Sequence, residues 1–232
     1  MEAIRGGSAE LRGDDARHLT RVLRVEPGQK FEISDQQAAW LAEVAEARGE
    51  RVVFRVIEPI ETAEAPVRIA LYAALIKFDR FEWMIEKTTE LGVESIQPVE
   101  TARGERGLFE ASRKRAERWQ RIAREASQQS RRLRAPDIRP ACQWQPALAA
   151  SSGCRFFLDE GGAPPLLAGL PAGRAPGAGA ALLVGPEGGW TDAERQDATA
   201  SGWVASSLGP GIVRAETAAI AGVAILLAAW LP

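Results

Sequence analysis

The sequence predicts an α/β protein in two parts: a small β-barrel over the first 60 or so residues, then an open α/β sheet. Three observations indicate this division. Short β-branched stretches separated by turn residues fill the first part. Glu58 to Pro66, which contains two prolines, is typical of a linker. Beyond it, patterns of buried strands alternate with helical patterns. A chain of 232 residues, 46% of them hydrophobic, can bury a small and a medium-sized core.

The strands of the first part show in the alternation of apolar and polar side chains. Phe31 and Ile33 alternate with polar neighbours, and Trp40 to Val44 follow. Val52 to Ile57 is a β-branched run that comes directly after the turn signal Arg48-Gly49-Glu50. Several short strands in succession, with no helical period between them, predict an all-β module that closes into a small barrel.

The period changes in the second part. Val67 to Ile76 is a near-continuous apolar run, as in a buried parallel strand, and Phe78 to Leu91 has helical spacing that ends at Gly92. Gly161 to Gly179 is rich in Gly, Pro and Ala and is expected to form a loop with at most a short helix. The remaining predicted strands are Ser95–Val99, Arg155–Leu158, Ala180–Val184 and Trp203–Leu208, and the remaining helices are Ser112–Ser130, Asp192–Ser201 and Ala215–Leu231.

Composition argues against membrane, secreted and metal-binding classes. The apolar stretch Ala215–Leu231 is interrupted by Glu216 and Gly222 and is short for a membrane span, so a buried helix is expected. The N-terminus has no apolar signal core, which predicts a cytoplasmic protein. Two cysteines and one histidine, His18, cannot supply the four ligands of a Cys/His zinc site, and no metal is expected.

Two loops that contain glycine indicate a ligand site. Strand Ala180–Val184 runs into Gly185-Pro186-Glu187-Gly188-Gly189, and strand Trp203–Leu208 runs into Gly209-Pro210-Gly211. A helix start follows each loop. Glycines in such places let backbone N–H groups approach a ligand at the carboxyl ends of the strands. We expect the two loops to end neighbouring strands and to face one cavity, although either loop alone could be only a turn.

The two loops do not match the sequence patterns of the common nucleotide-binding sites. A phosphate-binding loop needs a lysine and a Ser or Thr after its last glycine, whereas Trp190 follows Gly189. A Rossmann site would carry its glycines after the first strand, and Leu71 to Arg80 contains none. The ligand site is therefore expected in the C-terminal half. There, Arg214 and Glu216 adjoin an otherwise apolar helix, which favours a functional role over simple solvation.

Positive charge is concentrated in one segment. Arg103 to Arg134 holds eleven Lys or Arg against four Asp or Glu, a net charge of +7 in a chain of net charge −2. This asymmetry predicts a surface that faces a polyanion such as RNA, although a solvated helix face explains any single arginine equally well. The expected RNA contacts are Arg124, Gln129, Arg131 and Arg132, with Arg17, His18, Arg21 and Arg24 in the first part.

Taken together, the motifs resemble those of the bacterial 16S ribosomal RNA uridine-N3 methyltransferases, of the SPOUT superfamily, over nearly the whole chain. The segments that carry the resemblance are Leu182–Gly189, Leu208–Ala218, Lys87–Val93, Glu125–Arg132 and His18–Arg24. The chain departs from the family at Arg17, where a second histidine is usual, at Ala215, where threonine is usual, and over Thr101–Arg106, where the family has a serine-bearing turn.

The resemblance implies a PUA-like RNA-binding barrel over residues 1–62 and a SPOUT methyltransferase domain over residues 66–232 with a trefoil knot. It also implies S-adenosylmethionine as cofactor, a homodimer formed through the knotted domain, and 16S rRNA or the small ribosomal subunit as partner. By position, the implied cofactor contacts are Leu158, Glu160, Leu183, Gly185, Glu187, Gly188, Leu208, Gly209, Ile212, Val213, Arg214 and Ala218.

Methylation of a uracil imide nitrogen requires alignment with the methyl donor and loss of the imide proton. Arg214 is the candidate for stabilising the charge that develops, and Glu216 is the candidate base, with Glu187 second. Two alternatives remain open. One is a non-catalytic RNA-binding or ribosome-assembly protein that uses the loops only structurally, and the other is a SPOUT enzyme that methylates a ribose 2′-hydroxyl.

Overall fold

The structure is a computed structural model that describes residues 6–35, 37–61, 65–149 and 153–231. The chain divides into two compact units, Met1–Ala63 and Glu64–Pro232.

The first unit is an antiparallel sheet with one helix. Its elements are β1 (Ser8–Arg12), α1 (Asp14–Arg21), β2 (Lys30–Ser34), β3 (Ala39–Arg48) and β4 (Arg51–Ile60), and the strand order is β1-β4-β3-β2. Gly49 has a φ of 56° in the tight turn between β3 and β4, a conformation that glycine adopts without strain. The buried core is small and consists of Ala9, Ala16, Val25, Ile33, Ala42, Val44, Val52 and Phe54.

Two details of this unit differ from the sequence prediction. Helix α1 lies where only strands were expected. Ala16 is its one fully buried residue, so the helix shows no apolar stripe, and its acidic first turn and basic last turn are what support it. The predicted linker from Glu58 is partly strand, because β4 continues to Ile60 and Pro59 pairs with Trp40. Among the described residues, β1 pairs with β4 only as far as Arg55, so no strand pairs with β4 at Pro59 on that side, where a proline is tolerated.

The second unit is a six-stranded parallel sheet in the order β10-β8-β9-β5-β6-β7. Its strands are β5 (Val67–Ala74), β6 (Ser95–Val99), β7 (Asp137–Ile138), β8 (Cys154–Leu158), β9 (Ala178–Val184) and β10 (Val204–Ser206). Its helices are α2 (Phe78–Glu90), α3 (Leu108–Ser112), α4 (Ala116–Gln129), α5 (Trp144–Leu148), α6 (Asp192–Ala200) and α7 (Ala215–Trp230).

The sequence predicts most of these elements to within two residues at each end. The predicted helix from Ser112 to Ser130 is in fact α3, a 3₁₀ turn over Arg113–Arg115, and α4. The short elements β7 and α5, of two and five residues, were not predicted, because neither is long enough to show a period.

The sheet is buried on both faces, as parallel sheets usually are. Along β9, Leu182 faces a large core shared with α2 and α7, while Leu183 faces a second core that contains Trp190 and Trp203. Helix α7 is therefore a core helix, and among the described residues no helix is long and apolar enough to cross a membrane. Gly222 lies where α7 crosses β9, and a Cβ atom at this position would be 2.6 Å from Cδ2 of Leu182.

We predict that Gly222→Val lowers the free energy of unfolding by about 1–3 kcal/mol, because the added methyl groups overfill a packed core. Chemical denaturation of purified protein measures the change. Gly173→Val is the matched control, since a Cβ there meets nothing within 4 Å and should leave the unfolding midpoint unchanged. Equal midpoints for the Gly222 variant and the unmodified protein would contradict the prediction.

Candidate functional site

A pocket lies at the carboxyl ends of β8, β9 and β10 and reaches the first turn of α7. The expectation that the two glycine loops end neighbouring strands is wrong, because β8 lies between β9 and β10. Both loops nevertheless face the same pocket, and the end of β8 forms the wall between them. The lining residues are Leu158, Asp159, Glu160, Val184, Gly185, Pro186, Glu187, Gly189, Trp190, Ser207, Leu208, Gly209, Gly211, Ile212, Val213, Ala215 and Ala218.

Trp190 in the β9–α6 connection and Arg195 in α6 hold the wall at the end of β8. The indole Nε1 of Trp190 donates a hydrogen bond of 2.7 Å to the carbonyl oxygen of Leu158. Arg195 donates through Nε and Nη2 to the carboxylate of Asp159 at 3.0 and 3.1 Å, and this contact raises the pKa of Arg195. The end of β8 is thereby fixed to the loop that follows β9.

The glycines of the first loop are required for close packing of the pocket walls. A Cβ at Gly185 would be 2.9 Å from Cε2 of Trp190, and one at Gly189 would be 2.8 Å from Oε1 of Glu160. Gly189 also has a φ of 66°, which disfavours other residues. Any larger side chain at Gly185 would displace the buried Trp190, and with it the wall that Trp190 holds.

The α6 end of the loop is fixed by a capping box. The Thr191 hydroxyl accepts a hydrogen bond from the backbone N–H of Glu194. In return, the carboxylate of Glu194 accepts a hydrogen bond from the backbone N–H of Thr191. The other oxygen of Glu194 accepts from the N–H of Ala102 at 2.9 Å, which connects the loop after β6 to the helix. Glu194 is only 4% exposed, so its role is structural.

The lining chemistry combines acidic and apolar groups. Asp159, Glu160 and Glu187 contribute carboxylates, and the lining contains no Lys, Arg or His among the described residues. Leucine, isoleucine, valine and alanine side chains make up much of the rest. Such a pocket suits a ligand that carries positive charge and a flat apolar part. Among the residues that the structure describes, no group of three His, Cys, Asp or Glu could hold a metal ion.

Most of the expected cofactor residues line the pocket, namely Leu158, Glu160, Gly185, Glu187, Leu208, Gly209, Ile212, Val213 and Ala218. Three do not. Leu183 is fully buried in the core that contains Trp190 and Trp203. The carbonyl oxygen of Gly188 accepts a bond from Nη1 of Arg103 at 3.0 Å. Arg214 is the exposed N-cap residue of α7, next to the pocket lining.

Glu216 lies next to the pocket but does not line it. The residue is 4% exposed, and its Oε2 has no hydrogen-bond partner among the described residues. Its Oε1 is 3.9 Å from Nε of Arg80, and Arg80 also forms an ion pair with Glu187. Arg80 is not among the site residues that the sequence predicts. The signal that could have revealed it is a cation in the first turn of α2, where the helix dipole disfavours positive charge.

The predicted RNA contacts of the second unit differ in availability. Arg124, Gln129 and Arg131 are exposed. Arg132 is not free, because its Nη1 donates to the carbonyl oxygen of Thr89 at 2.8 Å and its Nη2 to that of Val93 at 2.9 Å. Burial lowers the pKa of Arg132. The guanidinium of Arg132 thus binds the C-terminal end of α2 rather than presenting itself to solvent.

The predicted RNA contacts of the first unit also differ. Arg17 pairs with Glu50 at 2.6 Å and with Asp14 at 3.1 Å, and the Glu50 contact raises the pKa of Arg17. Its charge is therefore largely compensated. His18, Arg21 and Arg24 are exposed on α1 and the turn that follows it. These three side chains are better placed than Arg17 to contact a polyanion.

Comparison with known proteins agrees with this architecture, which joins an α/β ligand-binding domain to a small antiparallel module. The RNA methyltransferase domain matches residues 63–227, and the RNA methyltransferase PUA domain matches residues 11–57. The chain therefore belongs to the RNA methyltransferase family, and the predicted fold class, α/β with a PUA-like first unit, is confirmed.

Several relatives carry the name Ribosomal RNA small subunit methyltransferase E. The protein from Synechocystis sp. is 37% identical over 216 residues, which cover 87% of this chain and 66% of the relative. The protein from Bacillus subtilis is 30% identical, with coverages of 90% and 85%. A crystal structure of this enzyme from Neisseria gonorrhoeae, bound to S-adenosylmethionine, has a TM-score of 0.87 at 31% identity and coverages of 99% and 95%. A Legionella pneumophila methyltransferase with the same cofactor has a TM-score of 0.86 at 28% identity, again with coverages of 99% and 95%.

We predict that Arg132→Ala lowers the free energy of unfolding by about 1–3 kcal/mol, because two buried carbonyl groups lose a charged donor. Urea denaturation followed by circular dichroism measures the loss. Arg124→Ala is the matched control: it removes the same side chain from an exposed helical position and should change stability by less than about 0.5 kcal/mol. If the two variants were equally stable, the structural role of Arg132 would be refuted.

Proposed function

We propose that the protein is an S-adenosylmethionine-dependent methyltransferase that methylates N3 of a uridine in 16S rRNA of the small ribosomal subunit. The observation that carries the proposal is the pocket in which two glycine loops and the end of β8 meet. Relatives named as small-subunit rRNA methyltransferases, and a similar structure bound to S-adenosylmethionine, support it.

The residues of the pocket suit this cofactor. S-adenosylmethionine carries a sulfonium and an ammonium group, and Glu160 offers its carboxylate in a lining that contains no Lys, Arg or His among the described residues. Asp159 and Glu187 also line the pocket, although each is paired with an arginine outside the lining, Arg195 and Arg80 respectively. Backbone groups of the glycine loops are accessible for hydrogen bonds, and apolar side chains such as Leu208 and Ile212 can cover the adenine ring. When bound, the cofactor supplies an electrophilic methyl group.

The chain's own residues must align the target uracil, exclude water and accept the imide proton. A proton acceptor has to come within hydrogen-bond distance of the substrate. Glu187 lines the pocket, whereas Glu216 is buried outside the lining. We therefore infer that Glu187, and not Glu216, is the first candidate for the base. Arg214, exposed at the start of α7, remains the candidate for stabilising the negative charge that develops on the uracil ring.

The two units would have different roles, RNA binding in the first and methyl transfer in the second. We assign RNA binding to residues 1–62, with His18, Arg21 and Arg24 as contacts, and cofactor binding and methyl transfer to residues 66–232. On the second unit, Arg124, Gln129 and Arg131 would contact phosphates around the target base, which must leave its stack to reach the pocket. The SPOUT resemblance further suggests a knotted C-terminal segment, a homodimer formed through it, and a cytoplasmic site of action.

We predict micromolar or tighter binding of S-adenosylmethionine to the purified full-length protein in isothermal titration calorimetry. Nucleoside mass spectrometry of 16S rRNA from a strain lacking the gene should show the loss of one 3-methyluridine. A protein that binds no cofactor would refute the enzyme assignment and favour a non-catalytic RNA-binding role. Loss of a ribose methyl group instead would refute the base assignment alone.

We predict that the double variant Arg124→Ala/Arg131→Ala weakens RNA binding and flattens its salt dependence. Each lost phosphate contact should reduce the slope of log K against log salt by about 0.7–0.9. Fluorescence anisotropy with an rRNA fragment at several salt concentrations measures the slope. Arg139→Ala serves as control, because Arg139 already pairs with Asp137 and lies outside the predicted contacts. An unchanged slope in the double variant would exclude this face as the RNA surface.

A further inference from the structure

One arginine connects two acidic residues that belong to different walls of the pocket region. Arg80, the third residue of α2, forms an ion pair through Nη1 with Oε1 of Glu187, in the loop after β9. Its Nε is 3.9 Å from Oε1 of Glu216, in the first turn of α7. Among the described residues, no other Lys, Arg or His lies within 4 Å of either carboxylate.

Glu216 needs this partner because of where it lies. Its neighbours Ala215, Ala218 and Ala219 are buried, and the side chain of Glu216 itself is 6% exposed. A buried carboxylate without a nearby cation is strongly disfavoured, and Oε2 of Glu216 already lacks a hydrogen-bond partner in the described part of the chain. Arg80 in turn sits in the first turn of a helix, where the dipole disfavours a cation. The two unfavourable placements compensate each other.

The position of Glu187 gives this cluster a functional meaning. Glu187 lines the pocket and is about half exposed, so that its side chain would be free to turn toward solvent without a partner. Arg80 holds it against α2, and α2 packs against α7. The loop after β9, the start of α2 and the start of α7 are thus joined by one guanidinium group.

We propose that Arg80 is a positioning residue that preforms the pocket for S-adenosylmethionine by holding Glu187 and compensating the charge of Glu216. The inference rests on the proposed function, since it concerns the same pocket. Arg80 itself is not among the lining residues, so its effect on the cofactor acts through Glu187. A planar guanidinium holds its N–H donors in a fixed fork, whereas a lysine ammonium is a compact charge on a flexible stem.

The test is calorimetric titration of full-length protein with S-adenosylmethionine. Arg80→Met should weaken binding at least about tenfold, and Arg80→Lys should fall between it and the unmodified protein, because lysine keeps the positive charge but carries it on a flexible stem without the fixed donor geometry of a guanidinium group. In rRNA methylation assays, the KM for the cofactor should rise more than the KM for RNA. Arg118→Met, which breaks the pair between Arg118 in α4 and Glu82 in α2, should leave cofactor affinity unchanged.

A double-variant cycle shows whether Arg80 acts through Glu187. Glu187→Gln alone should weaken cofactor binding, and Arg80→Met added to it should cost little more, because the contact is already lost. Independent, additive losses would overturn the proposal. If Arg80→Met leaves Glu216 as an unpaired buried charge and the protein unfolds, Arg80→Met/Glu216→Gln removes that charge, and the same loss of cofactor affinity is expected.

The outcomes separate this inference from the proposed function. If the unmodified protein binds no cofactor, the proposed function fails. If the unmodified protein binds and Arg80→Met binds equally well, only the role of Arg80 fails.

Discussion

The pocket depends on the parallel pairing of β8 between β9 and β10. Parallel pairing places the carboxyl ends of these three strands at one edge of the sheet, so that their loops meet although they are far apart in sequence. The contacts that complete the pocket then join neighbouring strand ends. Trp190 bonds the backbone of Leu158, and Arg195 bonds Asp159. Without β8 in the centre, the two glycine loops would have no common wall.

Burial explains which elements the sequence could predict. Strand β5 and helices α2 and α7 contribute many side chains to the large core. Their sequences show it as a near-continuous apolar run in β5, apolar residues at helical spacing in α2 and a long, almost wholly apolar stretch in α7. Helix α1 buries only Ala16 completely, so its sequence shows no apolar period. The strand order was not predictable, because periodicity carries no information about which strands pair. The expectation that β9 and β10 are neighbours was wrong because it was based on their order along the chain and not on strand pairing.

The candidate site was predictable where a local motif marks it and not where distant residues form it. The glycine loops after β9 and β10 lie next to strand and helix patterns, which indicated a pocket from sequence alone. Arg80 and Arg132 act through partners far along the chain: Glu187 and Glu216 for the first, and the carbonyl groups of Thr89 and Val93 for the second. A cluster of arginines predicts a basic surface, but it does not distinguish Arg132, which caps a helix, from Arg131, which is exposed.

Acidic and basic groups are separated within the second unit, which is consistent with the proposal that a chain of net charge −2 binds both a positively charged cofactor and RNA. The pocket lining is acidic, and the exposed arginines lie on the surface of α4 and the turn after it. Interactions between exposed charges are largely screened beyond about 8 Å at physiological ionic strength, so the acidic pocket need not repel phosphates bound elsewhere. Inside the pocket region screening is weaker, and a carboxylate there must be compensated locally. Arg80 provides this compensation from outside the lining, which leaves the lining itself free of cations and open to a positively charged ligand.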